Sequence, residues 1–225
     1  MAAGADEMAV LVVGATGRTG RRVVREASDR GHEVWATARS APEADLDGSA
    51  PVHWRHGSAT DPDAIGRLLD EAGSRAAGRT IGVVSSVGVG GSRGETHLYS
   101  VTAAVLAGAM LERGVRRLAV VSAAPVGDRS VHRLPQRALL PVLHAVFGAT
   151  YRDMTRMEAA LARRPELDWV SLRPPYLRDG PPRGRYRTHP DRPPRAATSM
   201  TTGDLATALL DAVTDPPPWH VAWVT

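Results

Sequence analysis

The stretch Met8-Ala-Val-Leu-Val-Val-Gly-Ala-Thr-Gly-Arg-Thr-Gly20 constrains this chain more than any other part of it. A short apolar run leads into Gly14, Gly17 and Gly20, and these lead into the helical pattern RRVVREASDR. The order is strand, tight glycine turn, helix start. Glycines let a backbone come close to a pyrophosphate, and the unpaired N–H groups of a helix N-terminus attract its negative charge. Three spaced glycines alone are a weak signal, but in this strand-to-helix context they predict a dinucleotide site.

The rest of the chain continues the alternation. Apolar, β-branched runs predict strands near 8–13, 33–38, 51–55, 80–86, 117–122, 168–173 and 219–224, and helical patterns fit 18–30, 61–73, 97–114, 150–163 and 202–214. Such alternation predicts a doubly wound α/β fold, a parallel sheet covered on both faces. The expected organisation is a single Rossmann domain over 1–225 with a small C-terminal substrate lobe. Two segments interrupt the pattern. Residues 123–149 form a long connection with a short apolar helix near 137–148, and 174–199 are rich in Pro, Gly and Arg and read as irregular. Both follow strand C-termini, where ligands bind in open sheets, so both are expected to form the substrate wall.

Composition removes several chemistries. The chain has no cysteine, which excludes disulfides and thiolate catalysis, and no lysine, since all 28 basic residues are arginine. A Tyr-x-x-x-Lys dyad, a Schiff base and a Walker lysine are therefore absent. The net charge of +4 is uneven: residues 151–195 hold eleven Arg against six acids. That surplus fits a solvated surface or a lobe that attracts an anionic ligand, and no motif in it points to nucleic acid. The longest apolar run, around 138–149, is too short to span a bilayer and contains Pro141 and His144. Residues 1–7 lack a signal-peptide pattern. A soluble, cytoplasmic protein with a small-molecule substrate and neither nucleic acid nor membrane as partner is expected. Leu98, Val101, Val105 and Leu106 fit core packing first and a homodimer surface second.

A dinucleotide site normally carries an acid about 20 residues past the glycines, to bind the adenosine ribose. Here the second strand ends Val34-Trp-Ala-Thr-Ala-Arg-Ser40, with Arg39 where that acid would stand and Ser40 beside it. An arginine pairs a 2′-phosphate bidentately. Arg18 adds to the case, because a cation at a helix N-terminus opposes the macrodipole unless an anion compensates it. NADP(H) is predicted over NAD(H).

GATGRTG after the first strand, the ARS end of the second, Val-Val-Ser122 closing the fifth and LDWVSLRPPYL at 167–177 resemble the atypical short-chain dehydrogenase/reductases. The likeness is to the small NAD(P)H-binding group that includes NmrA-like proteins and flavin reductase, or biliverdin-IXβ reductase, and it covers nearly the whole chain. The resemblance implies that Gly14, Thr16, Gly17, Arg18, Thr19 and Gly20 surround the pyrophosphate. It puts Ser58 and Ala59 by the adenine, Ser85, Ser86 and Val87 near the ribose, and Ser122 with Pro174, Pro175, Tyr176 and Leu177 beside the nicotinamide. Ser58 departs from the Asp common at that position.

Two residues are candidates for catalysis. Tyr151 stands at about the family position of the catalytic tyrosine, but Thr155 fills the lysine position. Its helical spacing with Met154, Met157, Glu158 and Leu161 reads equally as core packing, and Thr150 with Asp153 reads as an N-cap pair opening that helix. Ser122, at the end of the fifth strand, is placed to donate to a developing oxyanion, or only to hold the carboxamide. His132, His144 and His189 lie in the irregular segments, as proton donors or as packing. No spacing suggests a metal. The expected activity is NADPH-dependent reduction of a small conjugated or aromatic acceptor, such as a flavin, quinone or natural-product intermediate, without a Tyr–Lys dyad. Orientation would supply the rate, with the proton from solvent or substrate. A redox-neutral cyclase, dehydratase or isomerase and a non-catalytic NADP(H) sensor are the alternatives.

Overall fold

The structure, a computed structural model, describes residues 7–40, 48–91, 94–132, 134–194 and 198–225. The apolar run Ala9–Val13 forms strand β1, in which every residue is fully buried. Only a strand walled by helices on both faces can be apolar throughout. The strands that join it are β2 (Glu33–Ala38), β3 (Val52–His56), β4 (Ile81–Ser85), β5 (Arg117–Val121) and β6 (Asp168–Arg173). Three short strands, β7 (Tyr176–Arg178), β8 (Thr188–His189) and β9 (Ser199–Thr201), precede the last, β10 (Val221–Val224).

The main sheet runs β3-β2-β1-β4-β5-β6-β10-β8 and is parallel except for the β8–β10 pair. Strand order reverses between β1 and β4, which makes that edge the place where a crevice opens. Helices α2 (Pro62–Ala76), α3 (Leu98–Glu112) and α4 (Leu134–Leu161) cover one face. Helices α1 (Gly20–Asp29) and α5 (Thr202–Thr214) cover the other. The doubly wound sheet read from the sequence is the observed fold. Leu106 is buried in it and Leu98 and Val105 are partly buried, so of these four only Val101, 41% exposed, faces solvent.

Two readings change. The apolar helix near 137–148 and the helix from 150 are one continuous element, α4, running through Pro141 and Gly148. Thr150 and Asp153 therefore do not open a helix. The Asp153 carboxylate, fully buried, instead caps the start of α3: Tyr99 N donates to Oδ2 at 2.8 Å and Ser100 Oγ to Oδ1 at 2.5 Å. A capping residue was recognised, but its partner is a different helix, which sequence spacing cannot reveal.

The segment 174–199 is also more ordered than its composition suggests. β7 pairs with β9, and β8 pairs with β10 at the sheet edge. Between them Arg183 N donates to Asp204 at 2.6 Å and Tyr186 Oη donates to Asp211 at 2.6 Å, so the chain is tied along α5. A Cβ on Gly203 would sit 2.2 Å from Pro182 N, which shows how closely the two backbones approach. Residues 133 and 195–197 of the two irregular segments lie outside the described residues. Among the described residues no helix is long and apolar enough to cross a membrane, and no group of three His, Cys, Asp or Glu side chains could hold a metal ion.

Candidate functional site

A cleft of about 1190 Å³ opens over the C-terminal ends of β1, β2, β4 and β5. Its floor is the glycine turn. Gly14 takes a φ of +80°, a left-handed conformation that favours glycine, and the Gly14 and Ala15 amides both donate to Thr37 O, at 3.0 and 3.1 Å. A Cβ on Gly14 would lie 3.0 Å from the backbone of Ser86 and Val87. Ser86 Oγ closes the turn from the β4 side by donating to the carbonyls of Val13 and Gly14, at 3.1 and 3.2 Å. The turn is thus held by two neighbouring strands before any ligand arrives.

At the helix start, the amides of Arg18, Thr19 and Gly20 donate to no acceptor among the described residues. Thr19, at the N-cap position, makes no side-chain cap, and α1 has no acidic residue in its first turn. These are the open donors that an anion at a helix N-terminus satisfies. The first turn does carry two cations, Arg21 and Arg22, but both pair with Asp179, at 3.4 and 3.0 Å. Arg22 and Thr202 hold that carboxyl below the usual carboxylate range. Arg18, two residues ahead of α1, and Arg39, after β2, are exposed, line the cleft and have no carboxylate partner among the described residues. The sequence argument placed Arg18 inside the first turn. The helix begins later, and Arg18 is the cation that remains uncompensated.

The remaining residues read from the sequence divide by position. Thr16, Gly17, Thr19, Ser40, Ser58, Ala59, Val87, Tyr151 and Pro174, Pro175, Tyr176 and Leu177 all line the cleft. Gly20 does not. It packs behind the turn, where a Cβ would meet Gly14 O at 2.2 Å. Ser85 is likewise buried inside the sheet, between Val13 and Val120, away from the cleft surface. Ser58 Oγ is engaged locally, 2.9 Å from Thr60 Oγ1 and accepting from Thr60 N. His132, His144 and His189 do not line the cleft. His132 is buried against Trp223, and burial lowers its pKa. His144 packs edge-on against Tyr151, with Nε2 3.2 Å from Pro125 O.

Ser122 is the most informative side chain here. It lines the cleft, is 2% exposed, and its Oγ has no hydrogen-bond partner among the described residues. A buried hydroxyl without a partner costs stability, and this one, unlike the equally unpartnered Thr102 Oγ1, faces the cleft, where a ligand atom could satisfy it. Tyr151 is different. Burial pushes its phenol above the ordinary value, and no cation opposes that. Thr155, one turn on, donates its hydroxyl to the Tyr151 carbonyl at 2.9 Å. Nothing at this site generates a tyrosinate at neutral pH.

Thr37, Gly57, Tyr99 and Thr202 line the cleft without any sequence signal for it, Met154 lines it although its spacing reads as core, and Phe147 comes from the 123–149 segment expected there. The run Gly88-Val-Gly-Gly91 after β4 is a legible turn signal at its edge. Tyr99 and Phe147 come from α3 and α4, and only their packing brings them to the cleft.

A glycine turn at the switch point of a doubly wound sheet, with open helix donors and two unpaired arginines, defines a dinucleotide crevice. The donor set fits such a ligand: amides and cations at one end, a lone buried hydroxyl at the other. A family model described as NAD(P)H-binding matches residues 14–216, and the chain belongs to that NAD(P)H-binding family. This agrees with the resemblance to atypical short-chain dehydrogenase/reductases carried by the sequence motifs. Among solved structures, the chain is similar to ChuY, an anaerobillin reductase from Escherichia coli O157:H7, at 21% identity, with 96% of each chain covered and a TM-score of 0.75. ChuY from E. coli CFT073 matches at 20% identity over 96% of each chain, with a TM-score of 0.73. A protein from Lactobacillus casei matches at 22% identity, over 96% of this chain and 98% of that one, with a TM-score of 0.75. At these identities the likeness establishes the shared fold. A curated relative, 4-hydroxy-tetrahydrodipicolinate reductase of Natronomonas pharaonis, is 67% identical over 33 residues, which is 15% of this chain and only 13% of that protein.

Proposed function

We propose that this protein is an NADPH-dependent reductase of a small conjugated or aromatic acceptor. The observation that carries the reading is the buried, unpartnered Ser122 hydroxyl at the end of the cleft opposite the two free arginines. The glycine-turn amides would hold the pyrophosphate, and Arg39 with Arg18 would take the 2′-phosphate. When bound, the nicotinamide supplies a hydride. Ser122 would orient the carbonyl-type oxygen facing it and donate to the charge that develops there. With no lysine in the chain and no cation lowering the Tyr151 phenol, the dyad mechanism has no basis in these residues. Positioning in a closed apolar site can itself supply several kcal/mol. The reductase description of ChuY, on the same fold, favours this reading over a redox-neutral one.

The two arginines test the cofactor half. A charged hydrogen bond contributes about 1.5–3 kcal/mol, so Arg39→Ala is expected to weaken NADPH roughly ten- to hundred-fold while leaving NADH nearly unchanged. Titration of both cofactors by fluorescence checks this, and an unaltered NADPH-to-NADH ratio would refute the 2′-phosphate assignment. The catalytic half is tested by NADPH oxidation with a panel of flavins and quinones. Ser122→Ala is expected to lower turnover about 100-fold, as for the loss of one oxyanion donor. A larger loss in Tyr151→Phe than in Ser122→Ala would move the donor role to the phenol. Tight cofactor binding without turnover of any acceptor would instead indicate a sensor.

A further inference from the structure

Among the described residues, the charge in the cleft lies at one end. Arg18 and Arg39 stand where the glycine turn meets β2. The opposite end, beyond Ser122, is walled by Val89, Leu98, Phe147, Tyr151, Met154 and Tyr176. Among the described residues lining that end there is no Arg, His, Asp or Glu. Three flanking arginines are engaged elsewhere. Arg152 pairs with Glu95 at 3.1 Å, Arg156 Nη2 donates to Thr96 O at 2.9 Å, and Arg173 is sealed against Glu158 beneath the floor. Arg178 follows Tyr176 on β7 but is exposed and lies outside the lining.

The polar side chains at this end are neutral hydroxyls. The backbone N–H of Val89 donates to the Tyr99 phenol oxygen. Ser122 Oγ is unpartnered and 2% exposed. A neutral donor such as this satisfies a carbonyl-type oxygen but supplies no counterion. A carboxylate or phosphate entering the same wall would lose its water and gain no counterion, which apolar contact does not offset. Aromatic rings at the rim, with Tyr176 73% exposed, suit the face of a planar ligand instead.

We infer that the acceptor is neutral where it meets the protein: a planar, apolar ring system with a carbonyl-type oxygen for Ser122 and no carboxylate, phosphate or sulfonate group. This rests on the reductase reading and narrows its substrate. In the simplest case a quinone takes up one hydride from NADPH and one proton from solvent, giving the hydroquinone and NADP+.

The experiment compares matched probes: lumiflavin against flavin mononucleotide, and menadione against 1,4-naphthoquinone-2-sulfonate. Equilibrium dialysis against the NADP+-loaded protein reads binding without turnover, and NADPH oxidation reads turnover separately. The neutral member of each pair is expected to bind at least about tenfold tighter, a ratio within reach of one unpaired desolvated charge. Tyr176→Arg, at the exposed rim, is expected to narrow that ratio at least about threefold. Phe147→Arg is a second variant on the partly buried wall, with thermal melting as the check that it folds. Equal or tighter binding of the charged members, or no saturable binding of either neutral probe, overturns the inference. Preferential neutral binding with no NADPH oxidation would support it while refuting the reductase reading. Faster turnover and tighter binding of the charged members would do the reverse.

Discussion

Gly20→Ala is expected to weaken NADPH binding about 100-fold, the scale of displacing a positioned group by about 1 Å, and to lower stability by about 1–3 kcal/mol. A Cβ there would sit 2.2 Å from Gly14 O, 2.6 Å from Ser86 Oγ and 2.9 Å from Ala15 Cα. Ser86 Oγ could rotate away, but the other two are backbone atoms. Gly14 cannot retreat, because its amide and that of Ala15 donate to Thr37 O and its carbonyl accepts from Gly17 N at 3.0 Å. The helix must therefore move off the turn, and its open N-terminal amides move with it. Gly73→Ala is the control. Gly73 lies inside α2 with nothing within 4 Å of its Cβ position. There the same substitution should stabilise by about 0.5–1 kcal/mol through helix propensity alone. Thermal melts and NADPH titrations of both variants decide the matter. A Gly20→Ala protein that binds NADPH within threefold of wild type would show that the turn tolerates what the geometry forbids.

This also marks what the sequence carried. The three glycines were legible as a turn, but their reading as one uniform cradle was too simple. Gly14 needs its left-handed φ, Gly17 borders the cleft, and Gly20 leaves room for a helix to touch the turn. The positions of β1 to β6 and β10 followed from period and alternation, since a fully buried parallel strand declares itself in five consecutive apolar residues, whereas their order in the sheet did not. The cleft's outer wall was legible in part, in Tyr151 and Pro174 to Leu177, but not in the residues that α3 and the middle of α4 bring to it. Tyr99 reaches it because Asp153 holds the start of α3, a contact across 54 residues, and Phe147 because α4 continues past Gly148 rather than stopping. Local signals predict local structure, and these positions are set by tertiary partners. Asp179 shows the same limit: it reads as a loop acid in a Pro-rich segment, yet it pairs with both arginines of the first turn of α1.

Glu158→Ala is expected to cost about 3–5 kcal/mol, because it strips the counterion from a buried arginine. Arg173 Nε donates to Glu158 Oε1 at 3.1 Å and Nη2 to Oε2 at 2.5 Å, with both side chains 10% exposed. Ser171 Oγ donates to the same carboxylate at 2.9 Å. The guanidinium cannot swing into water. It lies 4.8 Å from the centroid of the Trp223 ring, and Gly127 presses so closely that a Cβ there would be 2.6 Å from Nη1. Arg173 also ends β6, one residue before the Pro174–Leu177 wall, and Pro174 O accepts from Ala124 N at 2.9 Å. Loss of the pair should therefore loosen the acceptor end of the cleft more than the glycine turn, raising KM for the acceptor with cofactor affinity little changed. Replacing both residues together, Glu158→Met with Arg173→Met, is the discriminating comparison. It leaves no buried charge, so it should recover most of the stability lost in the single variant. Urea unfolding of the three proteins measures this. A Glu158→Ala variant within about 1 kcal/mol of wild type would mean that water reaches Arg173. The pair would then be a surface bridge rather than the buried pin that sets the end of β6.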